Sequence, residues 1–287
     1  MTAQTIKNWK KMRFVDFVDT NPRSVLKKDQ EYPFIPMELV DGVSKYPATY
    51  FKKKFTGGGS RFMDGDTIFA RITPCLENGK IAQVKNLPGE IGFGSTEFFV
   101  FRNKDGISDK DFIYYLSRTD EVRSPAIKSM VGASGRQRAD KSVVENLEVL
   151  VPSISDQRQI ADVLSVYDDL IYNNTRRIKI LEQMAQAIYT EWFVNFRFPG
   201  HRKVRMVDSG TDFGKIPEGW SIGKLSDLAN ITMGQSPSSV FYNESGEGSP
   251  FHQGVTNFDF RFPTTTTFST GGTRRASAGD ILFSVRA

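Results

Sequence analysis

Apolar side chains recur along residues 153–199 with the spacing of a helix that packs against another helix. They follow one another at alternating steps of four and three residues, provided that Asn174 is counted as a member of the series. The series is Ile160, Leu164, Tyr167, Ile171, Asn174, Ile178, Leu181, Ala185, Ile188 and Trp192. A sustained heptad repeat predicts one long helix with a coiled-coil seam, roughly 60 Å from end to end.

Both ends of this predicted helix carry boundary signals. Ser153 is followed three residues later by Asp156, which is a capping-box pattern, and Pro199-Gly200 closes the far end. Asn174 interrupts the apolar seam, where a polar residue can fix the register and orientation of a partner helix. Burial of the whole helix in one large core is the alternative, but its flanking face is rich in charges. The pattern therefore favours a rigid spacer.

The chain on either side of the helix predicts a mixture of short strands and helices, an α+β fold. Residues 65–72 read as a Gly-Asp turn that enters a strand, and residues 97–101 read as a buried strand. A short helix is predicted over residues 109–117, and residues 145–151 return the chain to the base of the long helix.

The second half of the chain repeats the start of the first. Trp220 with Leu225 and Asp227 matches Trp9 with Phe14 and Asp16, at a separation of 211 residues. The segment from Gly279 to Arg286 matches the one from Gly65 to Arg71, at a separation of 214 residues. Two nearly equal separations predict tandem domains, the second of them incomplete, so the chain is either a fragment or a shortened form that borrows a partner helix. The predicted boundaries are 1–152 for the first domain, 153–199 for the spacer helix, 200–215 for a basic linker and 216–287 for the start of the second domain.

Composition indicates one class of binding partner and excludes some classes of protein. The formal net charge of +5 is modest, but positive residues gather in three segments that contain no acid, which suggests a polyanion surface rather than merely solvated loops. These segments contain Lys45, Lys52, Lys53, Lys54 and Arg61; Arg123, Lys128, Arg136 and Arg138; and Arg197, His201, Arg202, Lys203 and Arg205. The single cysteine, with no leader and no apolar run of membrane-spanning length, leads us to expect a cytoplasmic protein.

Candidate chemistry is confined to binding. We expect DNA contacts from Lys52, Lys53, Lys54, Arg61, Arg71, Lys80, Thr96, Arg136 and Arg138, although a strand-start cap explains Thr96 and its neighbour Glu97 equally well. The set Asp66, Glu77 and Lys80 resembles a nuclease motif but with the wrong spacing. No phosphate-binding loop, metal-ligand cluster or methyltransferase motif is present in the sequence, so we predict no catalytic site and no metal. The aromatic run at Trp192, Phe193, Phe196 and Phe198 is expected to pack the helix end into the second domain or a partner.

Several short motifs, in this order and spacing, resemble the specificity subunit of Type I restriction–modification systems. The residues that carry the resemblance are Gly65–Ile72 with Pro74 and Asn78-Gly79-Lys80, then Ser95–Phe98, Gly135–Arg138, Pro152 with Gln157 and Ile160, Ile216–Trp220, and Gly279–Arg286. The helix entry departs from the family pattern, which usually has two prolines and a glutamate where this chain has Pro152-Ser153 and Asp156.

The resemblance implies a non-catalytic subunit whose two recognition domains each read part of a bipartite DNA site. It further implies that the helices pack antiparallel, fix the gap between half-sites and dock methyltransferase subunits, with a restriction and translocase subunit and a second copy of the chain as further partners. S-adenosylmethionine, ATP and Mg²⁺ are then expected on the partner subunits. Two other interpretations remain open: a coiled-coil scaffold without DNA binding, and a nuclease or methyltransferase in its own right.

Overall fold

The computed structural model describes residues 9–133, 135–259 and 261–285. The chain divides into two compact units, residues 1–190 and 191–287. Both mix helices with short strands, and one long helix closes the first unit, which confirms the predicted α+β class.

The first unit consists of β1 (Lys10–Arg13), α1 (Phe14–Phe17), β2 (Val18–Thr20), β3 (Glu31–Ile35), β4 (Phe51–Lys54), β5 (Ser60–Met63), β6 (Thr67–Ala70), β7 (Ile81–Gln83), β8 (Ile91–Gly94), β9 (Phe98–Asn103), α2 (Lys110–Arg118), α3 (Asp120–Lys128), α4 (Lys141–Glu145), β10 (Glu148–Val151) and α5 (Ile154–Tyr189). One antiparallel sheet has the order β2-β9-β6-β7, and a second sheet has the order β4-β3-β8-β5, in which β3 and β8 run parallel. Strands β1 and β10 pair separately, next to the base of α5.

The strands β6 and β9 form the centre of the core because both of their faces are covered. On one face, the ring of Phe101 lies 5.0 Å from Phe14 of α1 and 5.3 Å from Phe69, centroid to centroid. On the other face, Ile68 packs in a second buried cluster with Phe62 of β5. Side chains of a strand point alternately to its two faces, so a strand buried on both sides needs a continuous apolar run. This explains why both strands read as uninterrupted apolar segments in the sequence.

The turn that leads into β6 is held by a buried carboxylate. Gly65 adopts a left-handed backbone with φ of 91°. Asp66 accepts hydrogen bonds from the Met63 amide at 2.7 Å and from Arg102 Nε and Nη2 at 2.8 and 2.6 Å. Burial raises the pKa of the Asp66 carboxyl, and the bonds from Arg102 and Met63 act in the opposite direction. The Gly65-Asp66 pair is thus a structural turn that ties β6 to β9.

The long helix starts as the sequence predicts but ends earlier. The Ser153 hydroxyl accepts the Asp156 amide at 3.2 Å and donates to the Asp156 carboxylate at 2.9 Å, so Ser153 caps the helix, although the reciprocal bond of a capping box is replaced by this side-chain bond. The helix α5 covers 36 residues, which corresponds to roughly 54 Å. A π-helical turn over Thr190–Val194 follows it, and Phe196 then takes a left-handed conformation with φ of 55°. A helix cannot continue through such a residue, so the predicted extension to residue 199 is wrong.

The second unit contains β11 (Met206–Asp208), β12 (Lys215–Pro217), α6 (Leu225–Leu228), β13 (Tyr242–Asn243), β14 (Ser249–Phe251) and β15 (Thr267–Ser269). Strands β11 and β12 form an antiparallel hairpin, and the other three strands form a sheet in the order β13-β15-β14. The segment 200–215, predicted as a linker, therefore contributes one complete strand and the first residue of another.

The internal repeat appears in the structure as two matching local motifs. Helices α1 and α6 each have four residues, and each ends with an amide that bonds back to the first helical carbonyl, from Val18 and from Ala229. Asp280 accepts the Ser277 amide at 2.8 Å, as Asp66 accepts the Met63 amide. Both copies therefore begin with the same short helix and contain the same turn.

The repeated turn leads to different structures in the two copies. In the first copy it feeds the buried strand β6, whereas the matching residues Ile281, Phe283 and Val285 are 92, 86 and 72% exposed and form no strand. The last residue of the matching segment, Arg286, lies outside the described residues.

Replacement of Asp66 by asparagine should destabilise the first unit by about 2–4 kcal/mol, because Arg102 loses the carboxylate that compensates its partly buried charge. The matched control is Asp280→Asn, which alters the same turn in an exposed setting and should change the free energy of unfolding by no more than about 0.5 kcal/mol. Urea denaturation followed by circular dichroism measures both. Equal effects of the two variants would contradict the structural role of Asp66.

Candidate nucleic-acid interface

Four of the predicted DNA contacts lie together where β6 ends and β9 begins. We call this surface the arginine loop surface; it comprises Arg71, Thr96, Glu97, Arg136 and Arg138. The Arg71 amide bonds to the Glu97 carbonyl at 2.9 Å, and the Ala139 amide bonds to the Arg71 carbonyl at 2.7 Å. Backbone hydrogen bonds thus bring segments together that are far apart in the sequence.

Two arginines of this surface are fixed by their neighbours, and one is not. The Arg138 guanidinium forms an ion pair with Glu97, with 2.7 Å between Nη2 and Oε1. The Arg71 guanidinium lies 4.9 Å from the centre of the Phe99 ring, a cation–π distance. Arg136 is exposed, and its side chain makes no ion pair or hydrogen bond with the described part of the chain. The surface therefore offers two oriented positive charges and one exposed positive charge without a partner among the described residues.

The predicted lysines occupy a different surface, the edge strand β4. Lys52, Lys53 and Lys54 are exposed there. Lys53 Nζ lies 4.1 Å from the centre of the Phe34 ring, and Lys54 Nζ pairs with Asp29 at 3.1 Å. An edge strand with charged side chains also resists pairing with other strands, so this run has a structural use as well.

Arg61 lies on β5, the opposite edge of the same sheet. Its Nη1 donates to the Ser24 carbonyl at 3.0 Å, and its guanidinium lies 5.0 Å from the Phe55 ring centre. A cavity of about 320 Å³ beside it is lined by residues that include Asn21, Arg23 and Gly59. The predicted DNA contacts therefore do not form one continuous patch.

Two of the lysines that were expected at the positively charged surface instead make contacts within the domain. Lys80 Nζ donates to the Met37 carbonyl at 3.1 Å, so it is already engaged within the domain. Lys45 was assigned to an acid-free basic segment facing a polyanion, but its side chain is fully buried. Its compensating acid is Asp111, which is remote in sequence and therefore invisible to a count along the chain. That assignment of Lys45 is wrong.

Lys45 instead joins the domain to the long helix. Its Nζ lies 2.7 Å from Asp111 Oδ1 on α2 and 2.7 Å from Ser165 Oγ on α5. The ring of Tyr115 lies 4.8 Å away. We call Lys45, Asp111, Tyr115 and Ser165 the lysine clamp. A buried ammonium needs such a set of partners because its desolvation is costly.

Further polar contacts extend the clamp along α5. The hydroxyl of Tyr115 donates to Asp168 at 2.5 Å, and Tyr46 donates to Asp169 at 2.8 Å. Lys85 also donates to Asp169 at 2.8 Å, and this bond lowers the pKa of the Asp169 carboxyl. Burial raises the pKa of both tyrosine hydroxyls above the ordinary value, so they remain donors.

Gln157 fixes the first turn of the helix because every polar group of its side chain has a hydrogen-bond partner. It accepts the Asp109 amide at 2.9 Å and donates to the Ile107 and Pro152 carbonyls at 3.1 and 3.0 Å. The residue is 1% exposed. The domain is therefore attached to the helix by hydrogen bonds that run from the buried Gln157 through the half-buried Ser165 to the more exposed Asp169.

The apolar seam lies outside this attachment and is mostly open. Ile160 is half-buried against the domain core, whereas Leu164, Tyr167, Ile171, Asn174, Ile178, Leu181, Ala185 and Ile188 are exposed. A second exposed apolar stripe, one residue earlier at each step, consists of Val163, Val166, Leu170, Ile180 and Met184. Together the stripes cover roughly half of the helix circumference. The apolar surface is wider than the seam predicted from the sequence.

The aromatic residues after α5 form a cluster within the second unit. The Trp220 ring is stacked on Phe198 at 5.7 Å and contacts Phe193 and Phe196 at 5.9 and 5.5 Å. Trp192, the last predicted seam residue, contacts Phe193 at 6.4 Å. The predicted packing of this run against the second domain is thus found at Trp220.

The residues that suggested a nuclease do not form a site. Asp66 is buried and bonded to Arg102, while Lys80 donates to the Met37 carbonyl. Within the described ranges, no group of three or more His, Cys, Asp or Glu side chains could hold a metal ion. Across those same ranges, no helix has the length and apolarity needed to cross a bilayer.

A family comparison connects this unit to known proteins. The sequence model of the type I restriction modification DNA specificity domain matches residues 6–183. That match covers the sheets, the arginine loop surface and most of α5. The chain belongs to this family.

Individual relatives in the family are longer than this chain. It is 28% identical over 229 residues to the putative type I restriction enzyme MjaX specificity subunit of Methanocaldococcus jannaschii, covering 79% of this chain and 52% of the relative. It is 32% identical over 151 residues to the MjaIX specificity subunit of the same organism, covering 51% and 34%. The solved HsdS subunit from Thermoanaerobacter tengcongensis is 24% identical, with a TM-score of 0.47, covering 98% of this chain and 70% of that one. The chain thus spans about half the length, or less, of the curated relatives it matches.

Sequence reasoning missed two features of this family member. Lys45 was grouped with exposed lysines because nothing near it in sequence marks it as buried. Glu97 was set aside as a strand-start residue, yet it accepts the Arg138 fork. The sequence offered little sign of this ion pair, because Arg138 lies 41 residues after Glu97.

Replacement of Lys45 by methionine should lower the free energy of unfolding of the first unit by about 3 kcal/mol, because Asp111 loses its buried partner. It should also speed hydrogen exchange in residues 165–172, where the domain grips α5. The control Lys54→Met removes an exposed ion pair and should cost less than about 1 kcal/mol. Unchanged exchange in Lys45→Met would exclude the clamp as the attachment.

Proposed function

We propose that this chain is a DNA sequence-specificity subunit of a type I restriction–modification complex. The match to the DNA specificity domain over residues 6–183 carries the proposal. Its physical support is a compact domain that presents arginines at the ends of rigid strands and is locked by hydrogen bonds to a long helix. A domain held rigidly on a spacer suits a reader of DNA half-sites with a fixed gap.

The helix is proposed to serve as the docking surface for the other subunits. An apolar arc close to half of the circumference is wider than a two-helix seam needs, so a second helix and a methyltransferase subunit can both be accommodated. The second helix comes from a further copy of the chain or from a longer form of it. The restriction and translocase subunit would join through the methyltransferase subunits.

Catalysis is proposed to belong entirely to the partners. S-adenosylmethionine would be bound by the methyltransferase subunits, and ATP with Mg²⁺ by the translocase subunit. The chain itself would supply recognition and geometry without a cofactor, and would act in the cytoplasm, where such a complex meets DNA.

A coiled-coil scaffold without DNA binding is the rival from another class, and the open apolar surface of α5 fits it equally well. The arginine loop surface favours the DNA reader, because a scaffold has no use for an exposed Arg136 beside an oriented Arg138. The two interpretations differ in whether these arginines matter to DNA.

Charge reversal at Arg136 and Arg138 should therefore weaken DNA binding by at least roughly tenfold, because two favourable contacts become repulsive. The control variant Arg176→Glu with Lys179→Glu makes the same charge change on the exposed face of α5, where no DNA contact is predicted. Binding is measured by fluorescence anisotropy at fixed salt with the chain in complex with its methyltransferase subunits. Equal binding by both variants and wild type would support the scaffold.

The same complex should methylate a bipartite motif with a fixed gap in a long-read methylome of cells that express it. Inverted half-sites would indicate that two copies of the chain pair. Absence of any motif, despite assembly of the complex, would refute the proposed function.

Assembly should be abolished by Leu181→Asp, which places a charge on the exposed apolar seam. The matched control is Lys179→Asp, which introduces the same residue two positions earlier on the polar face of the same helix. Co-purification with the methyltransferase subunits measures assembly, and circular dichroism checks that the domain is folded. Intact co-purification of the Leu181 variant would exclude the seam as a docking surface.

A further inference from the structure

Arg138 has a backbone that is held from both sides. Its amide bonds to the Val131 carbonyl at 3.0 Å, and the Val131 amide bonds to the Arg138 carbonyl at 3.1 Å. A β-bridge to Ile72 fixes the opposite side. Few residues in a surface loop are so constrained, because loops usually lack regular pairing. The Cα of Arg138 therefore has a defined position relative to β6.

The side chain is held as well, along one edge of its guanidinium. Nε lies 2.9 Å from Glu97 Oε2, and Nη2 lies 2.7 Å from Glu97 Oε1. Glu97 stands at the start of β9, the central strand of the first sheet. A side-on pair of this kind sets both the position and the plane of the guanidinium. The Arg138 side chain is thus oriented by a strand of the core.

The second edge of the guanidinium, formed by Nη1 and Nη2, faces fewer partners. Apart from the bond that Nη2 already makes to Glu97, its contact among the described residues is the 3.3 Å bond from Nη1 to the Arg136 carbonyl. The Arg138 side chain is 44% exposed, whereas Glu97 is 21% exposed. The acid is therefore the more covered member of the pair, and the arginine faces outward with donors to spare.

An outward, oriented two-donor edge matches one chemical partner closely. In the major groove guanine presents O6 and N7, two acceptors that an arginine fork binds together. A flexible arginine loses rotamer freedom on binding, and prior orientation reduces that cost. Glu97 also neutralises the charge of Arg138, which weakens its attraction to phosphates in general. Arg136, which is exposed and unpaired among the described residues, is better suited to phosphate contact.

We propose that Arg138 reads one guanine of the half-site bound by the first unit through O6 and N7, and that Glu97 is the positioning residue that aims it. This inference rests on the proposed function as a DNA reader. The alternative is a purely structural ion pair that ties the loop at residues 131–139 to β9. The two differ in whether loss of the pair changes discrimination at one base or only stability.

The test uses the chain assembled with its methyltransferase subunits and duplexes that carry the motif found in the methylome. Each guanine is replaced in turn by 7-deazaguanine, which lacks the N7 acceptor but still pairs with cytosine. For the wild type, replacement of one guanine in the half-site bound by the first unit should lower affinity roughly tenfold or more. Replacement of the other guanines should have smaller effects.

Three variants then test which residues cause the loss of affinity on 7-deazaguanine substitution, which we call the penalty. Arg138→Lys keeps the charge and the loop but supplies only a point charge, so the penalty at that guanine should vanish while binding to unrelated DNA is retained. Glu97→Gln should reduce the penalty at the same guanine and raise affinity for unrelated DNA, because Arg138 is no longer neutralised. The control Arg136→Ala should weaken binding to all duplexes alike and leave the penalty intact.

Separate outcomes overturn separate claims. A penalty that persists in Arg138→Lys would refute guanine reading by Arg138, and one that persists in Glu97→Gln would refute the positioning role of Glu97. Specific binding by the wild type with no sensitivity to any 7-deazaguanine would refute the inference while leaving the proposed function in place. No preference of the wild type for the motif over a scrambled duplex would refute the proposed function itself.

Discussion

The fold of the first unit depends on a division of the long helix into two faces of different chemistry. The domain grips the polar face through Gln157 and the lysine clamp, and the apolar face is left open. An apolar attachment would have been simpler in energetic terms, since burying charges is costly. It would also have competed with any partner helix for the same surface. Hydrogen bonds avoid that competition because their donors and acceptors fit at one position only.

The platform under the arginine loop surface follows from the central strands. Because β6 and β9 are covered on both faces, their ends are among the most rigid points of the domain. The Asp66–Arg102 pair ties the two strands together at one end, and the Arg138–Glu97 pair lies at the other end of β6. Rigid strand ends can hold recognition side chains with a precision that a free loop cannot offer.

Patterns within short stretches of sequence predicted the helices and strands. Contacts between residues far apart in the sequence determine which side chains form the candidate site. The heptad seam, the Ser153 cap, the strands at β6 and β9 and the matching turns all follow from spacing within short windows. The lysine clamp does not, because Ser165 is 120 residues away from Lys45. Positive residues near one another in sequence thus divided between an edge strand, a loop and the core. The early end of α5 was equally hidden, since an aromatic residue such as Phe196 gives no sign of a left-handed backbone.

The position of the polar attachment determines where the protein could be recombined. Among the described residues, the hydrogen bonds seen between the helix and the domain run from Gln157 to Asp169, and Tyr172 adds a ring contact with Tyr46 at 5.2 Å. A crossover at Pro152 would replace the helix partners of the domain, so Lys45 would lose the Ser165 hydroxyl, and Tyr115 and Tyr46 would lose their carboxylate acceptors. A crossover after Tyr172 would carry the domain and its matching helix residues together. Exchange of recognition domains between relatives is therefore structurally compatible only when the first half of the helix is exchanged with them.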